Sequence, residues 1–194
     1  MEDDLEFERS AAWAKKLSRI WLGALWGFAE STLFFLAPDI LLTAAALFSP
    51  KRSFIQLLAI LIGSLLGGAL MYTAGDKFPD CSQELVLGVP FIKQRLLDKV
   101  EPQFEEHGLW AMCVGSFTGV PYKTYAVIAP RHAPFLAFMA VSLPARLARL
   151  FSSWSIASLL GLLFRRQIEA SPPAALGLLV ICWIGFYTYY WSVI

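Results

Sequence analysis

The sequence predicts an all-α integral membrane protein with an inverted repeat, formed by two opposed re-entrant hairpins and about three spanning helices. Three observations support this prediction. Of the 194 residues, 57% are hydrophobic and only 16% are charged, whereas about a quarter of the residues in soluble domains are charged. The apolar residues fall into five blocks, and a spanning helix needs about 20 such residues. Prolines and charged residues interrupt two of these blocks.

The chain divides into an amphipathic N-terminal segment over 1–19, a membrane domain over 20–171 and a C-terminal transmembrane helix over 172–194. Within the membrane domain we expect five parts, namely a hairpin over 20–50, a span over 53–75, a surface segment over 76–108, a hairpin over 109–131 and a span over 135–164. Apolar residues recur at helical spacing in the surface segment, which fits either a helix lying on the membrane or an ordinary solvated helix.

The two hairpins are predicted from breaks in the apolar blocks. Unpaired backbone groups are costly in lipid, so non-helical backbone there must be surrounded by protein or water. We place the hairpin tips at Pro38 in the first block and at Gly119 and Pro121 in the second. Each hairpin precedes a basic, proline-containing turn, a phenylalanine and a long apolar stretch, and paired interrupted segments are typical of transporters. A kinked spanning helix is the alternative for each block.

Five charged residues lie inside the apolar blocks, namely Glu30, Asp39, Lys123, Arg146 and Arg149. An isolated charge at the bilayer centre costs about 2.5 kcal/mol or more, so such residues pair with each other or line a wet cavity. One hypothesis is that they form internal ion pairs. The other is a hydrated groove in which Lys123, Arg146 and Arg149 bind a lipid phosphate, while Glu30 and Asp39 gate the groove or transfer a proton.

The distribution of charge predicts an orientation. One set of loops is basic, comprising Arg9, Lys15, Lys16, Arg19, Lys51, Arg52, Arg165 and Arg166. The positive-inside rule places this set, and with it the N-terminus, in the cytoplasm. The membrane is expected to be the bacterial cytoplasmic (inner) membrane. A net charge of +1 gives no reason to expect nucleic-acid binding.

No cofactor, metal site or enzymatic activity is predicted. Cys81, Cys113 and Cys182 form no CxxC pair, and His107 and His132 have no metal-binding spacing with them. The chain lacks HExxH, GxSxG and nucleotide-loop motifs. The expected partners are membrane lipids with anionic phosphate head groups, and protons, and homo-oligomerisation stays open.

Two stretches resemble the DedA family, and more closely its YqaA-like branch, in the VTT-domain superfamily. They are "GFAESTLFFLAPDILLTAAALFSPKRSF" and "GSFTGVPYKTYAVIAPRHAPFLAFMAVSLPARLARLF", and the resemblance covers roughly residues 20–160. It implies two facing re-entrant hairpins and lipid translocation, either scrambling of phospholipids or flipping of polyprenyl phosphates such as undecaprenyl phosphate, coupled to the proton motive force.

The resemblance also implies roles for individual residues. Glu30 and Asp39 match the acids of the family's membrane segments. Lys123 matches a hairpin position that is arginine in many members and lysine in the YqaA-like branch. Arg146 and Arg149 match the arginine pair after the second hairpin.

The chain departs from the family pattern at two positions. Ser116 stands where classical members have a further arginine, and Pro130 replaces a common glycine. The expected function is a membrane lipid transporter, a scramblase or flippase of phospholipids or polyprenyl phosphate. Two alternatives stay open: a proton- or ion-coupled transporter of small solutes, and a non-transporting envelope or membrane assembly factor.

Overall fold

The computed structural model describes residues 20–193, and this part of the chain is built of helices and turns with no β-strand. The predicted amphipathic segment over 1–19 lies outside the described residues. The α-helices, in chain order, are α1 (Ile20–Thr32), α2 (Asp39–Phe48), α3 (Pro50–Lys77), α4 (Pro79–Leu87), α5 (Gln94–His107), α6 (Ala111–Thr118), α7 (Tyr122–Ile128), α8 (Phe135–Leu163), α9 (Arg165–Ala170) and α10 (Pro172–Val193).

Three of these helices, α3, α8 and α10, are long and apolar enough to cross a membrane. With 28 residues and a rise of 1.5 Å per residue, α3 is about 42 Å long, against a hydrocarbon core of about 30 Å. The three helices fall where the spans over 53–75, 135–164 and 172–194 are predicted. For residues 20–193, the prediction of an all-α protein with about three helices able to span a membrane is therefore confirmed.

The outward face of α3 is apolar. Exposed side chains follow one another at helical spacing along it, at Ile55, Leu58, Ile62, Leu66 and Leu70. A surface helix of a soluble protein places charged and polar residues on its outer face. The face of α3 therefore suits contact with lipid tails rather than with water.

Both interrupted apolar blocks are broken at proline or glycine. In the first, α1 ends at Thr32 and α2 begins directly after Pro38. In the second, α6 ends at Thr118 and is followed by Gly119, whose φ of 87° lies in the left-handed region, and Pro121 in extended conformation precedes α7. Only glycine adopts such a φ without steric cost. Neither block is one continuous kinked helix.

The described residues form two compact units. The first contains residues 20–23, 38–59 and 150–193, and the second contains 24–37 and 60–149. Helices α3 and α8 each contribute residues to both units.

In the first unit, indole N–H groups tie the helices together. Trp154 Nε1 donates to the Pro50 carbonyl (3.3 Å) and to Ser53 Oγ (3.0 Å). Trp183 Nε1, on α10, donates to Thr43 Oγ1 on α2 (3.1 Å). These partly buried hydrogen bonds between helices substitute for those that water would provide.

In the second unit, glycines of α3 allow backbone contact with α1. A Cβ at Gly63 would overlap the Ala24 carbonyl, and one at Gly67 would overlap the Phe28 carbonyl. Further along α3, a Cβ at Gly75 would overlap a carbonyl of α7. Small residues permit such close approach between membrane helices. The glycine face of α3 therefore fixes the positions of α1 and α7.

Helix α5 packs against α7 in the same unit. Its apolar residues Leu96, Leu97, Val100 and Phe104 are all buried. The Phe104 and Tyr125 rings meet edge to face with centroids 5.6 Å apart. The Tyr125 hydroxyl donates to Gln103 Oε1 at 2.5 Å. The apolar face expected of the 76–108 segment thus contacts α7.

Candidate functional site

Arg146 lies at the centre of a buried polar cluster in the second unit. It is on α8, which continues as a helix through Pro144, and only 2% of its surface is exposed. Its Nη2 donates to a Glu30 carboxylate oxygen and to Ser31 Oγ at 3.4 Å. Its Nε donates to Ser64 Oγ at 3.2 Å. The guanidinium is therefore held by α1 and α3 at once.

The Tyr122 ring covers the guanidinium. The Cζ atom of Arg146 lies 4.8 Å from the centroid of this ring, within the range of a cation–π interaction. The ring is itself stacked on Phe138 of α8, with centroids 6.0 Å apart. Its edge occupies the space that a Cβ at Gly68 would need. A larger residue at position 68 would displace the ring from Arg146.

Lys123, next to Tyr122 in the first turn of α7, is as deeply buried as Arg146. Its Nζ donates to the carbonyl oxygen of Phe34 at 2.6 Å. An ammonium group has three N–H donors, and this acceptor is neutral. Lys123 is therefore a buried cation whose close hydrogen-bond partner lacks a charge.

Positive charge exceeds negative charge in this cluster. The buried ionisable residues of the second unit that carry charge are Glu30, Lys123 and Arg146, which gives one negative and two positive charges when all are ionised. Arg149, half-buried one turn after Arg146, also acts electrostatically on the Glu30 carboxylate. Glu30 thus pairs directly with Arg146 and lies within electrostatic range of Lys123 and Arg149. A buried charge must be paired or solvated to be stable, so the cluster favours a further anion.

Local sequence explains how these side chains meet. The glycine face of α3 lets α1 approach closely enough for Glu30 and Ser64 to reach the same guanidinium. The break at Gly119 and Pro121 starts α7 just before Lys123. This start is stabilised by Thr124, whose backbone N–H donates to the Pro121 carbonyl at 3.0 Å.

Asp39 belongs to the first unit. It is the first residue of α2 and is buried. Its Oδ1 accepts a hydrogen bond from Ser153 Oγ at 2.7 Å. The structure therefore brings Glu30, Lys123, Arg146 and Arg149 together in one unit and places Asp39 in the other.

The positions that depart from the family pattern make local contacts. Ser116 Oγ donates to the Met112 carbonyl one turn earlier in α6, at 2.8 Å. Pro130 lies in the short 3₁₀ turn Ala129–Arg131 that follows α7. Neither residue is in the buried cluster around Arg146.

Four participants in the site were not predicted: Ser31, Ser64, Tyr122 and the Phe34 carbonyl. Ser64 follows Gly63 on the small-residue face of α3, a signal of close helix contact. Tyr122 lies beside the predicted Lys123. A backbone carbonyl has no signature in the sequence, so the acceptor of Lys123 could not be found this way.

Among residues 20–193, no group of three or more histidine, cysteine or acidic side chains is arranged to hold a metal ion. Cys81, Cys113 and Cys182 are free thiols. His132 stacks on Phe104 with centroids 4.9 Å apart.

The chain is similar to an uncharacterized protein of Haemophilus influenzae, with 24% identity over 167 residues that make up 85% of each chain. No protein-family model and no solved structure matches it.

Proposed function

We propose that this protein moves lipids with anionic phosphate head groups across a membrane, as a scramblase or flippase of phospholipids or polyprenyl phosphates. The observation behind the proposal is the buried excess of positive charge around Lys123. A lysine buried with a neutral carbonyl as its close acceptor gains most from a ligand that brings negative charge. Lysine binds phosphate as a point charge, and such charge-assisted hydrogen bonds are the strong ones.

The proposed route is a groove between two re-entrant hairpins related by an inverted repeat. The order of the elements supports it, because a short helix, a proline break, a second short helix and a long apolar helix occur in α1–α3 and again in α6–α8. The resemblance to the DedA family, over the same residues, supports the same arrangement. Interrupted helices in two halves are typical of transporter binding sites at the bilayer midplane.

In this proposal Lys123 receives the phosphate, and Arg149 adds positive charge beside it. The Arg146–Glu30 pair closes the site when no lipid is bound. An arriving phosphate competes with Glu30 for Arg146, and the released carboxylate can then take up a proton, which couples lipid movement to protons. Asp39 gates the first hairpin through its bond to Ser153. The proposed location is a bacterial cytoplasmic membrane, with the N-terminal side in the cytoplasm.

The proposal is tested by reconstituting the purified protein into vesicles that contain a fluorescent phosphatidylglycerol. A reductant added outside bleaches the outer leaflet, and the rate of loss of the protected fraction reports lipid movement. The parent is expected to exceed empty vesicles at least tenfold. Lys123→Met is expected to fall to the rate of empty vesicles, and Lys123→Arg to keep part of the activity because it keeps the charge.

Lys93→Met is the matched control, because Lys93 is exposed and precedes α5. It is expected to move lipid as fast as the parent. A parent no faster than empty vesicles, or a Lys123→Met variant as fast as the parent, would contradict the proposal. Uptake of inorganic phosphate by the same vesicles without lipid movement would indicate the solute-transporter alternative.

A further inference from the structure

We infer that residues 33–37, the segment between α1 and α2, form a plug that closes the anion site, and that an incoming phosphate displaces the Phe34 carbonyl from Lys123. This inference rests on the proposed function, because it names the regulation of the same site. The segment is defined here as the 33–37 plug.

The first observation is that the plug occupies the ligand position of Lys123. The Phe34 carbonyl oxygen lies 2.6 Å from Nζ, at the distance a phosphate oxygen would take. A carbonyl is a neutral acceptor, whereas a phosphate oxygen is charged and forms a stronger hydrogen bond to an ammonium. Replacement of the Phe34 carbonyl by a phosphate oxygen is therefore favourable once the plug has moved.

The second observation is a separate tie that holds the plug. Trp26 Nε1, on α1, donates to the Leu36 carbonyl at 3.0 Å. The Trp26 and Phe34 rings meet edge to face, with centroids 6.0 Å apart. Because α1 is fixed to α3 by the glycine contacts, Trp26 is a stationary anchor. Two carbonyls of the plug are thus held, that of Phe34 by Lys123 of the site and that of Leu36 by Trp26 outside the site.

The third observation is that the plug is partly exposed, although its Phe34 N–H also donates to the Ala29 carbonyl at 2.8 Å. It is non-helical, and Leu33 is 52% exposed while Phe34 and Phe35 are each 37% exposed. The Phe35 ring contacts Phe91, at a centroid distance of 5.9 Å. Exposed segments outside regular helices open at lower free-energy cost than packed elements.

These observations give a defined sequence of events. The plug leaves Lys123, the ammonium becomes accessible, and a phosphate head group takes the place of the Phe34 carbonyl. The Trp26 hydrogen bond opposes the first step. A typical hydrogen bond changes an opening equilibrium about fivefold, so its loss should raise the open population by about that factor.

Trp26→Phe tests the plug, because it keeps an aromatic ring against Phe34 and removes the N–H donor. The full-length protein in detergent is treated with a small amine-acylating reagent, and the modification of Lys123 is followed by peptide mass spectrometry. Lys123 is expected to react about fivefold faster in Trp26→Phe than in the parent. Trp110→Phe is the control, because Trp110 is exposed and belongs to the 3₁₀ turn Gly108–Trp110 rather than to the plug or to α1, and Lys123 in this variant should react as in the parent.

The melting temperature of Trp26→Phe shows whether this variant is folded. A second variant, Phe35→Ala, tests the plug independently if it is not. It removes the ring contact with Phe91 and should also speed the acylation of Lys123. Equal acylation of Lys123 in the parent and in both folded variants would overturn the plug, whether or not the protein moves lipid.

The lipid assay separates this inference from the proposed function. Trp26→Phe is expected to move fluorescent phosphatidylglycerol faster than the parent. A parent that moves no lipid overturns the proposed function, whereas faster acylation of Lys123 in Trp26→Phe would still support the plug. Where Trp26→Phe speeds the acylation of Lys123, the occupant is tested by repeating the acylation in vesicles. Slower acylation in phosphatidylglycerol vesicles than in vesicles of an uncharged lipid would identify a phosphate head group as the occupant. Equal acylation rates in the two kinds of vesicle would overturn that assignment.

Discussion

Arg146 is anchored on three sides, by Glu30 and Ser31 of α1, by Ser64 of α3 and by the face of Tyr122. A buried ion pair contributes little when compared with an apolar pair of the same shape, but removing one partner leaves an uncompensated charge. The stability of the cluster therefore depends on the presence of both charges rather than on the strength of their attraction.

We predict that Glu30→Gln destabilises the protein by about 3 kcal/mol, because it leaves Arg146 and Lys123 buried without a carboxylate. The double variant Glu30→Gln, Arg146→Gln should be less destabilised than the sum of the two single variants. Chemical denaturation of the detergent-solubilised protein, followed by circular dichroism, measures both effects.

The matched control is Arg165→Gln, which breaks the exposed pair between Arg165 and Glu169 (2.8 Å). Surface ion pairs contribute little because water screens them, so no measurable change is expected. Glu30→Gln as stable as the parent would show that the buried pair is not needed for folding.

The charges of this cluster could be found from the sequence, because Glu30, Lys123 and Arg146 interrupt apolar blocks and charge in lipid demands a partner. The hydrogen-bond partners of these charged residues could not be found from the sequence. Hydropathy does not distinguish Ser64 from the other small residues of α3. The pairing of Glu30 with Arg146 joins residues 116 positions apart, which no local pattern encodes.

At the scale of the elements, the glycine face of α3 positions the cluster. Gly63 and Gly67 lie one turn apart and both admit the backbone of α1. Because α1 supplies Glu30 and the Trp26 anchor, a shift of α1 would disturb the ion pair and the plug together.

We predict that Gly63→Ala destabilises the protein by about 1–3 kcal/mol, as overpacking does in other cores, since its Cβ would overlap the Ala24 carbonyl. Gly177→Ala is the control, because nothing lies within 4 Å of a Cβ at that position of α10. It should be neutral or slightly stabilising. Melting temperatures in detergent test the pair, and equal values for the two variants would contradict backbone contact at Gly63.

The breaks in the helices can be predicted from the sequence, but the tertiary contacts made by the residues around them cannot. Pro38, Gly119 and Pro121 disfavour continuous helix for known steric reasons, and helices end or begin at each. The path of the chain after a break depends on tertiary contacts. The tie from Trp26 to Leu36 spans ten positions of a segment that hydropathy shows only as apolar.

At the scale of the whole molecule, the three helices within residues 20–193 that are able to span a membrane can be predicted from the sequence, because lipid demands long apolar stretches. The division into two units was not predicted. Three boundaries fall inside helices, between Gly23 and Ala24 of α1, between Ala59 and Ile60 of α3 and between Arg149 and Leu150 of α8, and the fourth falls at the break between Ala37 and Pro38. Hydropathy is uninterrupted at the three boundaries inside helices, so the sequence contains no linker that would mark these three.

We predict that residues 51 and 166 lie on one side of the membrane and residue 81 on the other, because α3 and α8 are each long and apolar enough to cross once. Single-cysteine proteins test this, namely native Cys81 with Cys113→Ser and Cys182→Ser, and Lys51→Cys or Arg166→Cys in a cysteine-free background. A membrane-impermeant maleimide added to intact cells should label only Cys81. Labelling of all three sites alike would contradict the two crossings.

The order of the buried cations and their hydrogen-bond acceptors along the chain has a consequence for biosynthesis. Glu30, Ser31, Phe34 and Ser64 all precede Lys123 and Arg146 in the chain. The ribosome therefore delivers every acceptor before it delivers the donors. A nascent cation that reaches the bilayer meets partners already inserted, so neither Lys123 nor Arg146 needs to cross an apolar phase alone. With the reverse order along the chain, two positive charges would lack their acceptors until synthesis was complete.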